Sequence, residues 1–492
     1  MRYLTKKDLL IISHNLGYIF QGIGVVLLLP IIIALIYNEN TYLSFVLPSL
    51  VSIGVGTILA HELKNYTNLK LKHAMIVSAL AWLWASLIGA FVLSLSMHIS
   101  FVNAFFENMS AWTGSGFTLF NNVEILPYSI LFLRSLEQWI GGLGIIVVFA
   151  GTLIRSGTNA NKLYLSEGRE DKIRPSMANT IKKIFKIYLI YTIIGIIAYV
   201  IAGLPIFDSI NLTFTSIATG GMSIKNANVG FYNNNLVYII TMIIMILGAT
   251  SFAVHSRVIK TKGKSLLKDI QFKYLLIVTA IVTLILFIIC KSVPIGIIFH
   301  VISAITTTGA SILPTSEVLT WNGATLTLLF VLMLIGGSTG STSGGIKLSK
   351  VIISFKGIAH NIKSIIAPEK RTKPLKISDK VVKDKQIKDA SLFIFMHFIL
   401  IAIVWFLFIL YGYSPLDSLF DVISAQSNTG LSVGIITNGL PDFLKVVLII
   451  QMWMGRLEII PVLVLFNGIF EIFRFKPKTK KSERRKVRPK SK

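Results

Sequence analysis

The sequence predicts an all-α polytopic membrane protein with a fourfold internal repeat behind two extra N-terminal transmembrane helices. Three observations predict it. Apolar residues make up 53% of the 492 and charged residues only 14%, with a mean hydropathy of +0.73, whereas a soluble domain carries about 25% charge. A chain this apolar cannot cover itself with polar surface, so its solvent is largely lipid. Apolar runs of spanning length also alternate with loops that are by turns rich and poor in Lys and Arg. Finally, one Ser/Thr–Gly motif occurs four times. The net charge of +26 would suggest nucleic acid as a partner in a soluble protein. Here it belongs to the loops, and no nucleic-acid partner is expected. The single cysteine, Cys290, excludes a disulfide framework and any Cys-rich metal site.

A bilayer core of ~30 Å needs roughly 20 apolar residues in a helix. Such runs fall at 16–37, 42–62, 74–97, 128–153, 184–204, 236–256, 274–293, 323–335 continuing as 346–366, 390–411 and 443–470. Only the eighth of these ten is expected to be broken. Lys6 and Lys7 precede the first without a small-residue cleavage site after it, so it reads as a span and not a removable signal. The expected organisation is a two-helix extension over 1–68, four repeats over 69–155, 180–258, 270–366 and 386–472, and a basic tail over 473–492.

Charge sets the orientation. Residues 155–186 carry eight Lys/Arg, residues 356–388 carry ten, and the tail from Arg474 to Lys492 carries eleven against the single acid Glu483. Arg257, Lys260, Lys262, Lys264, Lys268 and Lys273 form a further cluster. The opposite connections hold none in 117–128, 310–322 and 431–440, and only Lys225 in 222–235. Positive charge collects on the cytoplasmic side, which places the basic loops and both termini inside. The basic loops also suit anionic membrane lipid or a cytosolic partner.

The repeat centres on a glycine. The first copy runs Ser110-Ala111 to Gly116-Phe117-Thr118, and the second Thr215-Ser216 to Gly221-Met222-Ser223. The third runs Ser303-Ala304 to Gly309-Ala310-Ser311, and the fourth Ser424-Ala425 to Gly430-Leu431-Ser432. Each copy lies between two spans on the lysine-poor side. The unit is therefore helix, short re-entrant helix, polar loop, helix. Irregular backbone at membrane depth is tolerated only where it lines a cavity. Glycine reaches backbone conformations closed to other residues, and four such loops around one axis would present rings of carbonyl oxygens able to replace an ion's hydration shell. The short helices would aim their negative dipole ends at that point, favouring cations. One such segment alone would read as an ordinary turn; four in register do not.

Two further stretches stand out. Gly336-Gly337-Ser338-Thr339-Gly340-Ser341-Thr342-Ser343-Gly344-Gly345-Ile346-Lys347 interrupts the eighth span. It fails as a phosphate-binding loop, because Ile346 separates Gly345 from Lys347 and no strand precedes it. A passive kink is the plain alternative to an irregular segment bordering water. In the tenth span, Arg456 follows Gly455; an Arg within a span costs at least about 2.5 kcal/mol and is a functional candidate. Its plain reading is an Arg paired with loop carbonyls, and Glu458 lies roughly on the opposite helix face.

These residues resemble the Trk/Ktr/HKT superfamily of potassium transporters, and most closely its TrkH-type membrane subunits, over residues 1–470. Arg134 through Gln138, Trp139, Gly141, Gly142 and Gly144 is similar to the second helix of the family's first repeat, read here as a tightly packing small-residue face. The resemblance implies four covalently linked, unequal helix–pore-loop–helix repeats around one pore. It implies a potassium-binding selectivity filter at Thr113, Gly114, Ser115 and Gly116; Ala218, Thr219, Gly220 and Gly221; Thr306, Thr307, Thr308 and Gly309; and Ser427, Asn428, Thr429 and Gly430. All four filter glycines are present, whereas a serine in the first repeat accompanies sodium preference in plant relatives. Gly336 through Gly345 with Lys347 would be a cytoplasmic gating loop, and Arg456 an electrostatic barrier in the pore. A homodimer at the plasma membrane is implied, with one pore per chain and a cytosolic Rossmann-type, TrkA-like subunit supplying the nucleotide. No cofactor is expected in this chain.

The remaining polar residues add little. Asp208, Asp417 and Asp421 read as caps at the starts of the short helices, where a carboxylate stabilises the positive dipole end. Glu107, one position into the first repeat's short helix, would add negative potential near the outer mouth. His14, His61, His98, His300 and His397 lack metal-ligand spacing. A sodium- or proton-coupled symporter would want acidic residues within the spans, where almost none are seen. A membrane-embedded hydrolase would want a nucleophile with a base, and no such constellation is present.

Overall fold

The computed structural model describes residues 4–152, 158–168, 176–258, 261–290, 294–314, 317, 321–366, 374–377 and 380–474. Arg155, Arg169, Lys172, Arg174 and Lys260, and the tail from Lys476 to Lys492 for which its charge leads one to expect disorder, lie outside these described residues. The chain is an all-α membrane protein. Apolar side chains stand exposed around its girth, Ile288 at 79%, Leu43 at 66% and Phe395 at 62%, which only a lipid solvent accommodates.

Helix α1 (Lys6–Val26) begins with a capping box. Thr5 Oγ1 accepts from Asp8 N at 3.2 Å, and the Asp8 carboxylate accepts from Thr5 N at 2.8 Å. After a break at Leu27 and Leu28, α2 (Leu29–Ile36) completes the first span. Helix α3 (Tyr42–Glu62) returns against α1. Their contact is set by small residues: a Cβ on Gly17 would lie 2.7 Å from Gly56 O, and one on Gly56 would lie 2.6 Å from Gly17 O. Backbones approach this closely only where side chains are absent. The pair docks on α4 (Leu71–Met97), whose His73 and Lys72 both reach the Asp8 carboxylate, at 2.7 and 3.1 Å.

From α4 onward the chain lays down a long helix, a short helix and an interrupted helix four times. The first set is α4, α5 (Phe101–Thr113) and α6 (Tyr128–Leu143) continuing as α7 (Ile145–Thr152). After the short α8 (Thr158–Ser166) come α9 (Met177–Ile201), α10 (Ile206–Ile217), α11 (Asn235–Gly248) and α12 (Phe252–Val258). The one-turn α13 (Lys264–Lys268) leads to α14 (Ile270–Ile289), α15 (Pro294–Ile305), α16 (Gly323–Ile335) and α17 (Leu348–Ile366). A two-residue hairpin, β1 (Lys376–Ile377) with β2 (Lys380–Val381), precedes α18 (Asp384–Leu410), α19 (Pro415–Gln426), α20 (Asp442–Arg456) and α21 (Ile460–Arg474). The short helices α5, α10, α15 and α19 have 12 or 13 residues. At 1.5 Å per residue they extend about 20 Å, well short of a bilayer core.

The interrupted helices correct the expectation that only the eighth span is broken. Helices α11 and α12 meet at 107°, and α20 and α21 at 118°; α6 and α7 part at Gly144, whose φ is +100°. Among the described residues six spans are long and apolar enough to cross a membrane, or eight counting the two bent pairs as one each. The fourth and eighth apolar runs are missing from that number because α6, α7 and α16 are each too short, while the 19-residue α17 carries Lys350, Lys356 and Lys363. Hydropathy does not see the two bends, since each bent pair still passes as one apolar run. Their cause is the polar centre they surround.

Replacing Gly56 with Leu should separate α1 from α3 and cost about 1–3 kcal/mol, typical of overpacking. A thermal unfolding scan in detergent should show a lowered Tm, while the Gly54→Leu change, with nothing within 4 Å of its Cβ position, should leave it near wild type.

Candidate functional site

Four short helices end in the same way. In each, the amide just before the motif glycine bonds the carbonyl five residues back, Ser115 to Ser110, Gly220 to Thr215, Thr308 to Ser303 and Thr429 to Ser424, all at 2.9 Å. The amide one residue earlier bonds three residues back, at 3.1–3.2 Å. This pair of bonds is a Schellman ending, which needs a left-handed residue just past the helix. Gly114, Thr219, Thr307 and Asn428 fill that position with φ of 73°, 51°, 53° and 51°. Three are not glycine, an uncommon conformation that costs on the order of 1 kcal/mol each and persists where surroundings enforce it. Two residues on, Gly116, Gly221, Gly309 and Gly430 are left-handed again, with φ of 79°, 69°, 76° and 94°.

These four glycines close a ring. A Cβ on Gly116 would collide with Gly220 O, one on Gly221 with Thr308 O, one on Gly309 with Thr429 O, and one on Gly430 with Ser115 O. Each glycine thus lies against the carbonyl just before the next one, and the fourth returns to the first. Hydroxyls pair beside it: Thr113 with Ser115 at 2.9 Å and Thr306 with Thr308 at 2.8 Å. Ala218 caps α10 against Gly142. Ser427, Asn428 and Thr429 are buried, and Asn428 Nδ2 donates to Ser115 Oγ at 2.8 Å. The sixteen residues singled out from sequence therefore meet at one place, with four helix C-termini directed toward it. The negative dipole ends of four helices meeting there favour a cation.

The Gly336–Gly345 segment lies against this ring. Gly344 N donates to Thr307 Oγ1 at 2.6 Å and Gly345 N to Ser427 O at 3.0 Å. Thr342 Oγ1 donates to Ile217 O at 3.0 Å and Gly248 O at 2.9 Å, and accepts from Thr219 Oγ1 at 3.1 Å. Ser338 N donates to Ala249 O at 2.9 Å, Thr339 N to Gln271 Oε1 at 2.8 Å, and Gly340 O accepts from Phe252 N at 3.1 Å. Ser341 Oγ meets Ser343 Oγ at 2.8 Å. Gly336 and Lys347 are both left-handed, Leu348 N donates to Gly337 O at 2.9 Å, and Lys347 Nζ folds back on Ser343 O. The bend between α11 and α12 frees the Gly248 and Ala249 carbonyls that receive this segment.

Arg456 ends α20 and donates to Thr342 O at 3.0 Å, to Gly142 O at 2.8 Å and to Gly141 O. It also lies 5.4 Å from the Trp82 ring centroid. Its guanidinium ties the loop to the end of α6. Glu458, left-handed at φ 55°, pairs with Lys350 Nζ at 2.6 Å.

Four polar residues differ from their sequence reading or were missed by it. Asp421 is not a cap but stands mid-helix in α19, accepting from Ser432 Oγ at 2.8 Å and Val433 N at 2.9 Å; Asp208 and Asp417 do stand in first turns. Glu107 is also mid-helix and 1% exposed, facing Arg134 Nε at 3.6 Å, not an outer mouth. Glu137, buried between Gly89 and Trp112, and Gln138, buried at Gly220, were read from sequence only as part of a packing face. A Glu and a Gln adjoining inside an apolar run were the available signal.

The sequence matches the TrkH family of cation transport proteins over residues 44–297 and 291–472. An uncharacterised cation transporter of Methanocaldococcus jannaschii is 44% identical, the alignment covering 95% of this chain and 97% of that one. The Trk system potassium uptake protein TrkG of Escherichia coli is 29% identical, over 95% and 99%. The crystal structure of the potassium transporter TrkH from Vibrio parahaemolyticus superposes with a TM-score of 0.83 at 26% identity, over 94% of this chain and 99% of that one. The family is one of transporters and not of enzymes. On the extent of these matches and the fold they share, the chain belongs to the TrkH family of cation transport proteins.

Proposed function

We propose that this chain takes up potassium across the plasma membrane through a selective pore at the glycine ring. The observation that carries the reading is the closed contact of Gly116, Gly221, Gly309 and Gly430 with the preceding carbonyls of neighbouring units. The potassium uptake proteins to which the chain is similar support it. A hydrated cation enters from the side poor in Lys and Arg. It exchanges water for the carbonyls of Thr113–Gly116, Ala218–Gly221, Thr306–Gly309 and Ser427–Gly430. Passage then requires the Gly336–Gly345 segment to move, since it is bonded to Thr307 and Ser427 directly beside the ring.

Arg456 acts here in two ways. Its charge raises the energy of a cation beneath the ring, and its bonds to Thr342, Gly141 and Gly142 hold the segment in place. The basic loops, on the cytoplasmic side with both termini, dock a Rossmann-type subunit whose nucleotide state shifts the segment. The chain works as a homodimer with one pore per protomer.

Rubidium-86 uptake into proteoliposomes tests the reading. Wild-type uptake should be competed by potassium and not by sodium. Gly116→Ser places a side chain against Gly220 O and should cut the preference for potassium over sodium about tenfold or more. Unchanged selectivity in folded Gly116→Ser protein would move the filter elsewhere.

The gate is tested separately. Arg456→Ala should raise resting uptake several-fold, on the order of the 1–2 kcal/mol lost with its hydrogen bonds. Deleting Gly336–Gly345 should raise it further. If the folded deletion variant passes no rubidium, the pore reading is wrong.

A further inference from the structure

The residue nine positions before each ring glycine is Glu107, Leu212, His300 or Asp421. Three of the four do the same thing by different chemistry. Each reaches from the middle of its short helix to the side chain two residues past the glycine. Glu107 accepts from Thr118 Oγ1 at 2.8 Å and also from Leu119 N. His300 Nε2 meets Ser311 Oγ at 2.9 Å, while its Nδ1 is fixed on Gly296 O at 2.8 Å. Asp421 accepts from Ser432 Oγ at 2.8 Å, Val433 N at 2.9 Å and Ile436 N at 3.2 Å. All three are at most 1% exposed.

The second unit has Leu212, which cannot form such a bond. Its strand is held from outside instead. Gln138 of α6, fully buried, donates from Nε2 to Gly220 O at 2.7 Å and accepts at Oε1 from Met222 N at 3.1 Å. Arg134, one turn earlier, donates from Nη1 to Ser223 O at 3.3 Å. Each of the four strands thus has one buried polar brace just outside the ring, three from its own helix and one lent by the first unit.

We propose that Glu107, His300, Asp421 and Gln138 are positioning residues that fix the width of the ring and so set its discrimination between potassium and sodium. They touch no ion. A carbonyl ring tightens around a smaller cation unless something outside holds the strands apart, and rigidly supported outer contacts are what hold a first coordination shell in place. Gln138 has the largest effect, because its amide bonds both Gly220 O and Met222 N, on the two sides of Gly221. This inference rests on the assignment of the ring as the filter.

The test is competition of rubidium-86 uptake by potassium and by sodium, on variants that elute as folded protein. Gln138→Leu, Asp421→Leu and His300→Leu should each make sodium a better competitor, by about threefold to tenfold for Gln138→Leu. His300→Gln, whose amide still reaches Ser311, should restore the ratio lost in His300→Leu. Should Gln138→Leu fail to fold, Gln138→Glu keeps the acceptor for Met222 N, loses the donor to Gly220 O, and should also weaken discrimination. A potassium-to-sodium ratio that stays constant across these variants, with uptake and folded yield falling together, overturns the proposal and leaves a merely structural role. Gly116→Ser separates the two readings: if it relaxes selectivity while the brace variants do not, only the brace inference fails. If it too leaves the ratio unchanged, the filter assignment fails first.

Discussion

Four missing Cβ atoms hold the centre of this molecule together. At Gly116, Gly221, Gly309 and Gly430 the atom that any other residue would add collides with a backbone carbonyl of the next unit. A side chain can rotate away from a clash, but a carbonyl inside a bonded turn cannot. The closeness of the ring then dictates its surroundings. Its strands need left-handed residues, which the Schellman endings of the four short helices supply. Its outward groups need partners in a medium where an unsatisfied one costs several kcal/mol. The bends in the outer helices meet that need, since Gly248, Ala249, Gly141 and Gly142 give carbonyls to the loop or to Arg456 only because their helices stop there.

The four units share a backbone and differ in chemistry. Only the first has glycine at the helix ending; the others hold Thr219, Thr307 and Asn428 left-handed. Thr219 and Asn428 use the conformation to aim side chains at Thr342 and Ser115. The third unit alone carries the glycine-rich segment, and the fourth alone an arginine to hold it. Because the units are joined in one chain, each can be specialised without repeating the change four times. The concentration of buried ionisable side chains in the first unit, Glu107, Arg134 and Glu137, follows the same logic, since Arg134 serves Glu107 and the second unit's Ser223 together.

Much of this was legible before any coordinates. Hydropathy and loop charge mark a polytopic helical protein, and the motif marks which glycines matter, because Ser/Thr, Ala/Ser and Gly recur at fixed spacing. The bends at 249–251 and 457–459 were not legible, for a few polar residues such as Thr250, Ser251 and Glu458 do not by themselves break an apolar run, and the cause lies in partners some ninety or more residues away. The mid-helix roles of Glu107 and Asp421 were hidden by an error of a few residues in where the short helices begin. A carboxylate in a first turn is a cap, whereas the same carboxylate two turns later faces the loop that follows the helix. Gln138 was read only as part of a packing face. Gly141 and Gly142 do pack, against Trp112 and Ala218, but nothing local shows that Gln138 serves another unit.

Ring closure has a consequence for how the chain is made. Gly430 must meet Ser115, and nothing before residue 430 can substitute for it. Until the last unit leaves the ribosome, three strands stand inserted with one side open and their carbonyls unshielded. The second unit is better placed, because Gln138 is already in the bilayer when Gly220 and Met222 arrive. A chain that stops short of the fourth unit therefore leaves Ser115 O without the glycine that closes against it.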